Sequence, residues 1–365
     1  MSQKKALIAM SGGVDSAVAA YLMQQTEWDC IGVTMRLFDN KILGEELEST
    51  CCSLDDVEDA RAVARRLGFP FYVFNFTGDF EEKVIQKFIR CYECGATPNP
   101  CIDCNRHLKF DHLMRRAEEL GCDCVVTGHY ARIIQDPDTG RYLLYRATDP
   151  AKDQSYVLYS LTQYQLAHTQ FPLGGMSKTE TRAIAEQQGF VNAKKQDSQD
   201  ICFVPDGDYV AFMERYTGKS YPAGDFLDLD GKVVGKHRGA VAYTLGQRKG
   251  LGLAMGAPVY VCGKNMENNT VTVGPNEALF STTLVANDWN WFPFETLQEP
   301  IRVQAKARYN QSPQSATVYP GENGEATVVF DAPQRALTPG QAVVLYDGEL
   351  VVGGGTIIEV KKGEV

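Results

Sequence analysis

Ala6-Leu-Ile-Ala-Met10-Ser11-Gly-Gly-Val-Asp-Ser16-Ala-Val-Ala-Ala20 is the stretch that decides the fold. Ala6 to Met10 is a short apolar run that stops abruptly at Ser-Gly-Gly, the pattern of a strand buried on both faces of a parallel sheet. Ala17 to Gln25 then reads as a helix. Glycines at such a strand–helix turn let the backbone approach a ligand, and the amides opening the helix point at anionic oxygens. Ser11 and Ser16 add hydroxyl donors, and Asp15 can orient a metal ion or a leaving pyrophosphate. The turn lacks the Gly-Lys-Ser/Thr ending of a Walker A loop, so cleavage between the β and γ phosphates is not the implied chemistry.

Outward from this stretch, strands and helices alternate. Cys30 to Met35 is a second apolar run. Ser53 can cap a helix over Asp55–Leu67, with acids in its first turn and Gly68 beyond its end. Phe71 to Phe76 and Val125 to Thr127 read as further strands. The pattern predicts an α/β fold built on a doubly wound parallel sheet, with ligands at the carboxyl ends of its strands. Ser177-Lys-Thr-Glu180 is a capping box for a helix that Gly189 closes. After about Tyr209 the helical pattern fades, glycines multiply, and Val241 to Leu245 and Pro258 to Cys262 read as short β pieces. From Ile301 to Arg308 apolar and polar residues alternate strictly, a half-buried strand, and Asp347-Gly348 reads as a tight hairpin. The expected organisation is a catalytic α/β domain over residues 1–210, a small linking domain over 211–280, and a C-terminal antiparallel, barrel-like β domain over 281–365.

At 365 residues the chain is long enough for two or three cores, and 44% hydrophobic with 22% charged residues is ordinary for a globular protein. No apolar run approaches the roughly 20 residues of a membrane span, and no signal peptide is legible, so a cytoplasmic address without a membrane partner is expected. The net charge of −10 argues against non-specific coating of nucleic acid but leaves local basic patches free to meet phosphates. Two such patches are Lys232, Lys236, Arg238, Arg248 and Lys249, and Arg106, Lys109, Arg115 and Arg116.

Eleven cysteines is a high count, and they are bunched: Cys51-Cys52, Cys91 with Cys94, Cys101 with Cys104, Cys122 with Cys124. In a reducing compartment that pattern points to metal, redox or sulfur chemistry. Thr97-Pro-Asn-Pro-Cys101-Ile-Asp-Cys104-Asn-Arg-His-Leu-Lys-Phe110 is a Pro-rich turn entering a helix. Arg106, His107 and Lys109 near Cys104 should favour its thiolate. A second polar setting surrounds Cys202 in Asp197-Ser-Gln-Asp200-Ile-Cys202-Phe203.

The loop Ser11–Ser16 resembles that of the pyrophosphatase-loop family, which implies cleavage between the α and β phosphates and an adenylated substrate. The whole chain is similar to the tRNA 2-thiouridylases. Matching segments are Ser11–Ser16, Gly32-Val-Thr-Met35, Thr97–Phe110, Thr127-Gly-His-Tyr130, Lys152-Asp-Gln-Ser155, Asp197–Phe203 and Tyr243-Thr-Leu-Gly-Gln-Arg-Lys-Gly250. Arg308-Tyr309, Pro333-Gln-Arg335 and Thr338-Pro-Gly-Gln341 complete the set. The resemblance implies an ATP- and Mg²⁺-dependent enzyme that replaces the 2-oxygen of a tRNA wobble uridine by sulfur. By position it implies that Ala9, Met10, Ser11, Gly12, Gly13, Val14, Asp15, Ser16, Met35 and Gly128 hold ATP, with Asp15 also catalytic. Cys104 would be the catalytic thiol and Cys202 the carrier of sulfur as a persulfide. Asn99, Pro100 and Cys101 would face the target base; His129, Lys152, Asp153, Gln154, Arg308, Tyr309 and Gln341 would contact the tRNA around its anticodon stem-loop. A sulfur-donor relay protein or cysteine desulfurase is the implied protein partner.

Cys101 departs from the many family members that carry an acid there. With Cys104 and Cys202 it offers three thiolates, the soft ligand set of a 4Fe–4S cluster with one open iron, as related RNA-thiolating enzymes use. Cys91 and Cys94 could supply further thiolates or a separate zinc site. Rival readings are a loop-family ligase delivering nitrogen, a non-enzymatic RNA-binding or sulfur-trafficking scaffold, and thiolation at another tRNA position.

Overall fold

The computed structural model describes residues 3–38, 54–196 and 201–361. Cys51, Cys52, the Ser53 cap and the Asp197–Asp200 part of the second cysteine motif lie outside the described residues.

Four strands open the chain's first sheet: β1 (Lys5–Ala9), β2 (Asp29–Arg36), β3 (Phe71–Asn75) and β4 (Cys124–Val126). A hairpin of β5 (Ala131–Gln135) and β6 (Tyr142–Arg146) leaves this sheet, and β7 (Thr169–Gln170) returns to it. The order is β3-β2-β1-β4-β7 and every neighbouring pair is parallel. Strand β1 is central and its period-two alternation serves two cores. Leu7 faces Phe80, Phe88 and Leu108, while Ala6 and Ile8 face Ala17, Val18 and Val63. All three are fully buried, each larger side chain contributing roughly 1.5–3 kcal/mol.

The helices that fill these layers are α1 (Val14–Gln24), α2 (Leu54–Leu67), α3 (residues 77–93), α4 (100–119), α5 (Lys178–Gln187) and α6 (Tyr209–Thr217). Both halves of the Ser177–Glu180 capping box are made, with Ser177 Oγ accepting from Glu180 N. Helix α3 carries a π-helical turn at Glu81–Ile85, and α4 carries a longer one over Cys104–His112 that begins at Cys104. Such widened turns recur at functional sites because they re-aim side chains.

Beyond α6 lies a four-stranded sheet of β8 (Gly224–Leu227), β9 (Val233–His237), β10 (Tyr260–Asn265) and β11 (Thr270–Gly274). Val241 to Leu245 is not the strand its apolar run suggests. It opens as a short 3₁₀ turn at Ala240–Ala242, pinned between Gly239 at φ +110° and Gly246 at φ +85°. Its side chains are buried against Phe226 and Val261, so burial was legible but the backbone was not.

The C-terminal strands are β12 (Phe280–Trp291), β13 (Ile301–Lys306), β14 (Gln314–Pro320), β15 (Ala326–Arg335), β16 (Ala342–Asp347) and β17 (Leu350–Lys361). They pair antiparallel in the order β12-β15-β14-β13-β16-β17, and β17 closes back on β12 into a six-stranded barrel. The Asp347–Gly348 hairpin forms with Gly348 at φ +57°. The β5–β6 hairpin, whose strand character the sequence reading missed, extends the barrel sheet through Tyr145 opposite Leu350.

Candidate active site

Strand order reverses at β1, whose neighbours are β2 on one side and β4 on the other, so a crevice opens at their carboxyl ends. The turn Met10–Gly13 leaves β1 there and Thr127–His129 leaves β4 beside it. Gly12 has φ +75°, and a Cβ on it would lie 2.4 Å from the Asp56 carbonyl oxygen. A Cβ on Gly128 would lie 2.8 Å from both Asp15 C and Ser16 N. Only glycine permits both approaches.

The turn is held from within and from outside. Ser11 N donates to Ser16 Oγ (3.1 Å), which donates to Gly13 O (3.0 Å). Thr34 Oγ1 of β2 donates to Met10 O at 2.6 Å, and Asn192 Nδ2 donates to Gly12 O at 2.9 Å. No side chain caps α1 at Gly13, so its first amides stay available to an anion. Met35 stands half-buried near the end of β2.

Asp15 points to a polar group that the sequence reading did not assign. Its Oδ1 accepts from Tyr130 OH (2.8 Å) and pairs with Lys178 Nζ (2.7 Å), and Tyr130 OH also meets Thr181 Oγ1 (3.0 Å). Lys178 opens α5, where a cation opposes the helix dipole. That mismatch was the sequence signal for an acidic partner. Lys195 makes a similar brace, joining Asp56 (2.6 Å) and Asp59 (2.7 Å) of α2 behind the turn.

Cys104 and Cys202 belong to the same hydrophobic core. Cys104 is buried in the core that holds Phe80, Phe88, Leu108 and Phe203, and half-buried Cys202 packs on the same core. Arg106 is paired with Asp288 of β12, and burial lowers the pKa of His107. Cys101 is exposed instead. Among the described residues no group of three or more His, Cys, Asp or Glu side chains is disposed to hold a metal ion. Among those residues Cys101, Cys104 and Cys202 are thus not gathered as the ligand set expected of a 4Fe–4S cluster, and Cys91 with Cys94 gathers no further ligand for zinc.

The remaining candidates gather around the entry to α4. Asn99 Oδ1 accepts from Cys101 N (3.2 Å), capping the helix with Pro100 at its first position. Gln341 Nε2 reaches from the barrel to Thr97 O (2.8 Å) and Pro98 O (3.2 Å). Tyr309, 40% exposed, lies within electrostatic reach of Cys101, Lys152 and Asp153. Buried Asp153 accepts from Ala147 N, Ser155 N and Ser155 Oγ and pairs with Arg146. Gln154 Oε1 accepts from Tyr130 N (3.0 Å). Arg308 donates to Leu245 O (3.1 Å), Ala336 O (2.7 Å) and Thr338 Oγ1 (2.7 Å), so it ties the barrel to the central sheet. His129 is internal: its Nδ1 meets Thr127 Oγ1 at 2.7 Å, its ring packs on Phe110 and Phe171, and burial holds it well below the usual histidine range, hence neutral.

A phosphate-cradling turn at the switch point of a parallel sheet, with two cysteines on the adjoining core, defines an adenine-nucleotide α-hydrolase-like α/β domain. Three family models cover the chain: a tRNA methyl transferase HUP domain over residues 4–206, a tRNA methyl transferase PRC-barrel domain over 210–275 and an aminomethyltransferase beta-barrel domain over 281–357. The tRNA-specific 2-thiouridylase MnmA of Clostridioides difficile is 51% identical over 97% of this chain and 98% of its own length. That of Heliobacterium modesticaldum is 52% identical over 96% and 92%. The chain belongs to the tRNA-specific 2-thiouridylase family. Among solved structures, a 4-thiouridine synthetase–RNA complex with bound ATP aligns at TM-score 0.34 and 19% identity, over 59% of this chain and 50% of that one.

Proposed function

We propose that this chain is an ATP-dependent sulfurtransferase that places sulfur at carbon 2 of the wobble uridine of tRNA. The observation that carries it is that Cys104 and Cys202 share a core whose β1 also leads into the phosphate turn. Family membership supplies the substrate class. Backbone amides from Ser11 to Ser16 cradle the phosphates, and Lys178 is placed to neutralise the pyrophosphate side once it leaves Asp15. Asp15 suits magnesium by donor type, since that ion commonly takes one or two carboxylates together with substrate phosphates. When bound it would screen the phosphate charge.

The uridine 2-oxygen attacks the α phosphate and expels pyrophosphate, which turns a poor leaving group into AMP. The terminal sulfur of a Cys202 persulfide then attacks carbon 2, and AMP departs. Cys104 thiolate attacks Cys202 Sγ and breaks the S–S bond. The products are the 2-thiouridine and a Cys104–Cys202 disulfide, which a cellular thiol reduces. Asn99 to Cys101, Lys152 to Gln154, Arg308-Tyr309 and Gln341 form the RNA-facing side in this reading. His129 acts there as a neutral packing group behind Gly128. A cytoplasmic sulfur-donor protein or cysteine desulfurase reloads Cys202. No step in this reading runs through an iron–sulfur cluster.

The test is nucleoside mass analysis of tRNA after reaction with ATP and a sulfur source, with AMP measured alongside. One sulfur gained at the wobble uridine per AMP is expected. AMP formation without sulfur gain, or sulfur at another nucleotide, would remove this reading.

A further inference from the structure

The turn Thr244–Gly250 in the central region is built more rigidly than an exposed loop needs to be. Gly246 N donates to Val261 O (2.9 Å), and Val261 N donates back to Gln247 O (3.0 Å). The Gln247 side chain spans the turn, accepting from Thr244 N (3.0 Å) and donating to Lys249 O (3.0 Å). The barrel grips it as well. Arg308 donates to Leu245 O (3.1 Å) and Arg335 to Gly246 O (3.1 Å). A Cβ on Gly246 would lie 2.8 Å from Ala336 Cβ, and Ala336 itself is held at φ +53°, a left-handed conformation costly for alanine. All this fixation ends in a tip of two exposed cations, Arg248 and Lys249.

Those cations differ from several others on the surface. Lys236 pairs with Asp225, Arg115 with Asp111, Arg116 with Glu119 and Lys219 with Glu93. Arg248 and Lys249 make no ion pair among the described residues. A paired cation is a solvated face; an unpaired pair on a rigid mount is a preorganised anion site. The mount is also one residue from the RNA-facing set, because Arg308, which holds Leu245, is followed by Tyr309 beside Cys101 and Lys152. With a net charge of −10 the protein needs local positive points to receive a polyanion.

We infer that Arg248 and Lys249 are a docking point for the sugar-phosphate backbone of the substrate tRNA. This rests on the tRNA reading above. Each phosphate contact displaces condensed counterions, so each cation contributes about one unit, somewhat less for single strands, to the slope of log K against log salt. The rigid mount spares the entropy of ordering the backbone that carries the two side chains.

The experiment is binding of substrate tRNA transcript to the whole protein across a ~50–200 mM salt series. The variants are Arg248→Gln/Lys249→Gln and, as a paired-cation control, Arg115→Gln. The double variant should lose about one slope unit per cation and bind about tenfold more weakly at ~150 mM salt. ATP affinity should stay unchanged, and the control should match the wild type. Wild-type slope and affinity in the double variant would overturn the inference. So would intact tRNA binding with loss of sulfur-donor protein binding, which would assign the cations to an acidic protein instead. Failure of the tRNA reading is separately visible, since the wild type itself would then neither bind nor thiolate tRNA.

Discussion

The phosphate turn and the side that we propose faces RNA are made in opposite ways. The turn is local: Ala9 to Ser16 supply nearly every group, and the rest of the fold contributes buttresses such as Gly128, Thr34 and Asn192. The proposed RNA-facing side is assembled from residues near 99, 153, 309 and 341, with Gln341 binding backbone 244 positions away. Open backbone donors suit a ligand whose phosphates are the same in every molecule. Side chains drawn from several elements suit one that must be recognised by shape. Cys104, on the helix entered from the Asn99 turn, and Cys202 lie on the core beneath the sheet, so the chemistry we propose falls between the two constructions.

Breaking the meeting point should have the largest effect. Cys104→Ser and Cys202→Ser should each lower thiolation more than about a hundredfold, and the double variant should be little worse than either single, because the two thiols act as a unit. Tryptic mass mapping should trap a Cys104–Cys202 disulfide only in the wild type after turnover. Cys101→Ser should keep most activity. Robust thiolation by Cys104→Ser would end the exchange mechanism, and collapse of Cys101→Ser would return Cys101 to the chemistry.

The contrast itself is tested on each side. Gly128→Ala forces a Cβ to 2.8 Å from the backbone at Asp15 and Ser16. Overpacking of that kind costs about 1–3 kcal/mol, so the ATP KM should rise roughly tenfold while the tRNA KM holds. Gln341→Leu removes the donor to Thr97 O and Pro98 O, a loss of about 1–2 kcal/mol. Here the tRNA KM should rise roughly fivefold with the ATP KM steady. Steady-state kinetics varying each substrate in turn would show the split. Equal shifts in both constants for either variant would mean that the regions are one site.

The difference in construction also decides what could be read from the chain. Ser11–Ser16 and the strands leading from it were legible because motif, strand and helix lie within about fifteen consecutive positions. The Ser177 capping box was legible for the same reason. Tyr130 and Lys178 were missed as partners of Asp15 because their separations, 115 and 163 positions, leave no periodic trace. Helix α3 did leave one, since Phe80, Val84, Phe88 and Tyr92 recur every four residues and are all buried. Its π-helical turn has no such signature. Val241 to Leu245 failed for the opposite reason: its apolar run reports burial, and burial does not distinguish a strand from a turn trapped between two left-handed glycines. The pairing of Arg106, one of the basic residues near Cys104, with Asp288 on a distant strand likewise left no local trace.

Tyr130 is the residue through which the two regions touch. Its hydroxyl donates to Asp15 in the phosphate turn, while its backbone exchanges hydrogen bonds with Gln154: N to Oε1 at 3.0 Å, and O from Gln154 N at 2.9 Å. Tyr130→Phe cuts only the first connection. Asp15 keeps Lys178 and is partly solvated, so the loss should fall near the low end for a hydrogen bond to a charged group, about 1 kcal/mol. The expected outcome is a rise in the ATP KM of a few-fold with the tRNA KM unmoved, the smallest effect of the series. Gln154→Leu cuts the second connection and should do the reverse. If Tyr130→Phe instead weakens tRNA and ATP together, the hydroxyl transmits occupancy of the phosphate turn to the loop at Gln154, and the independence of the two constructions fails at this one ring.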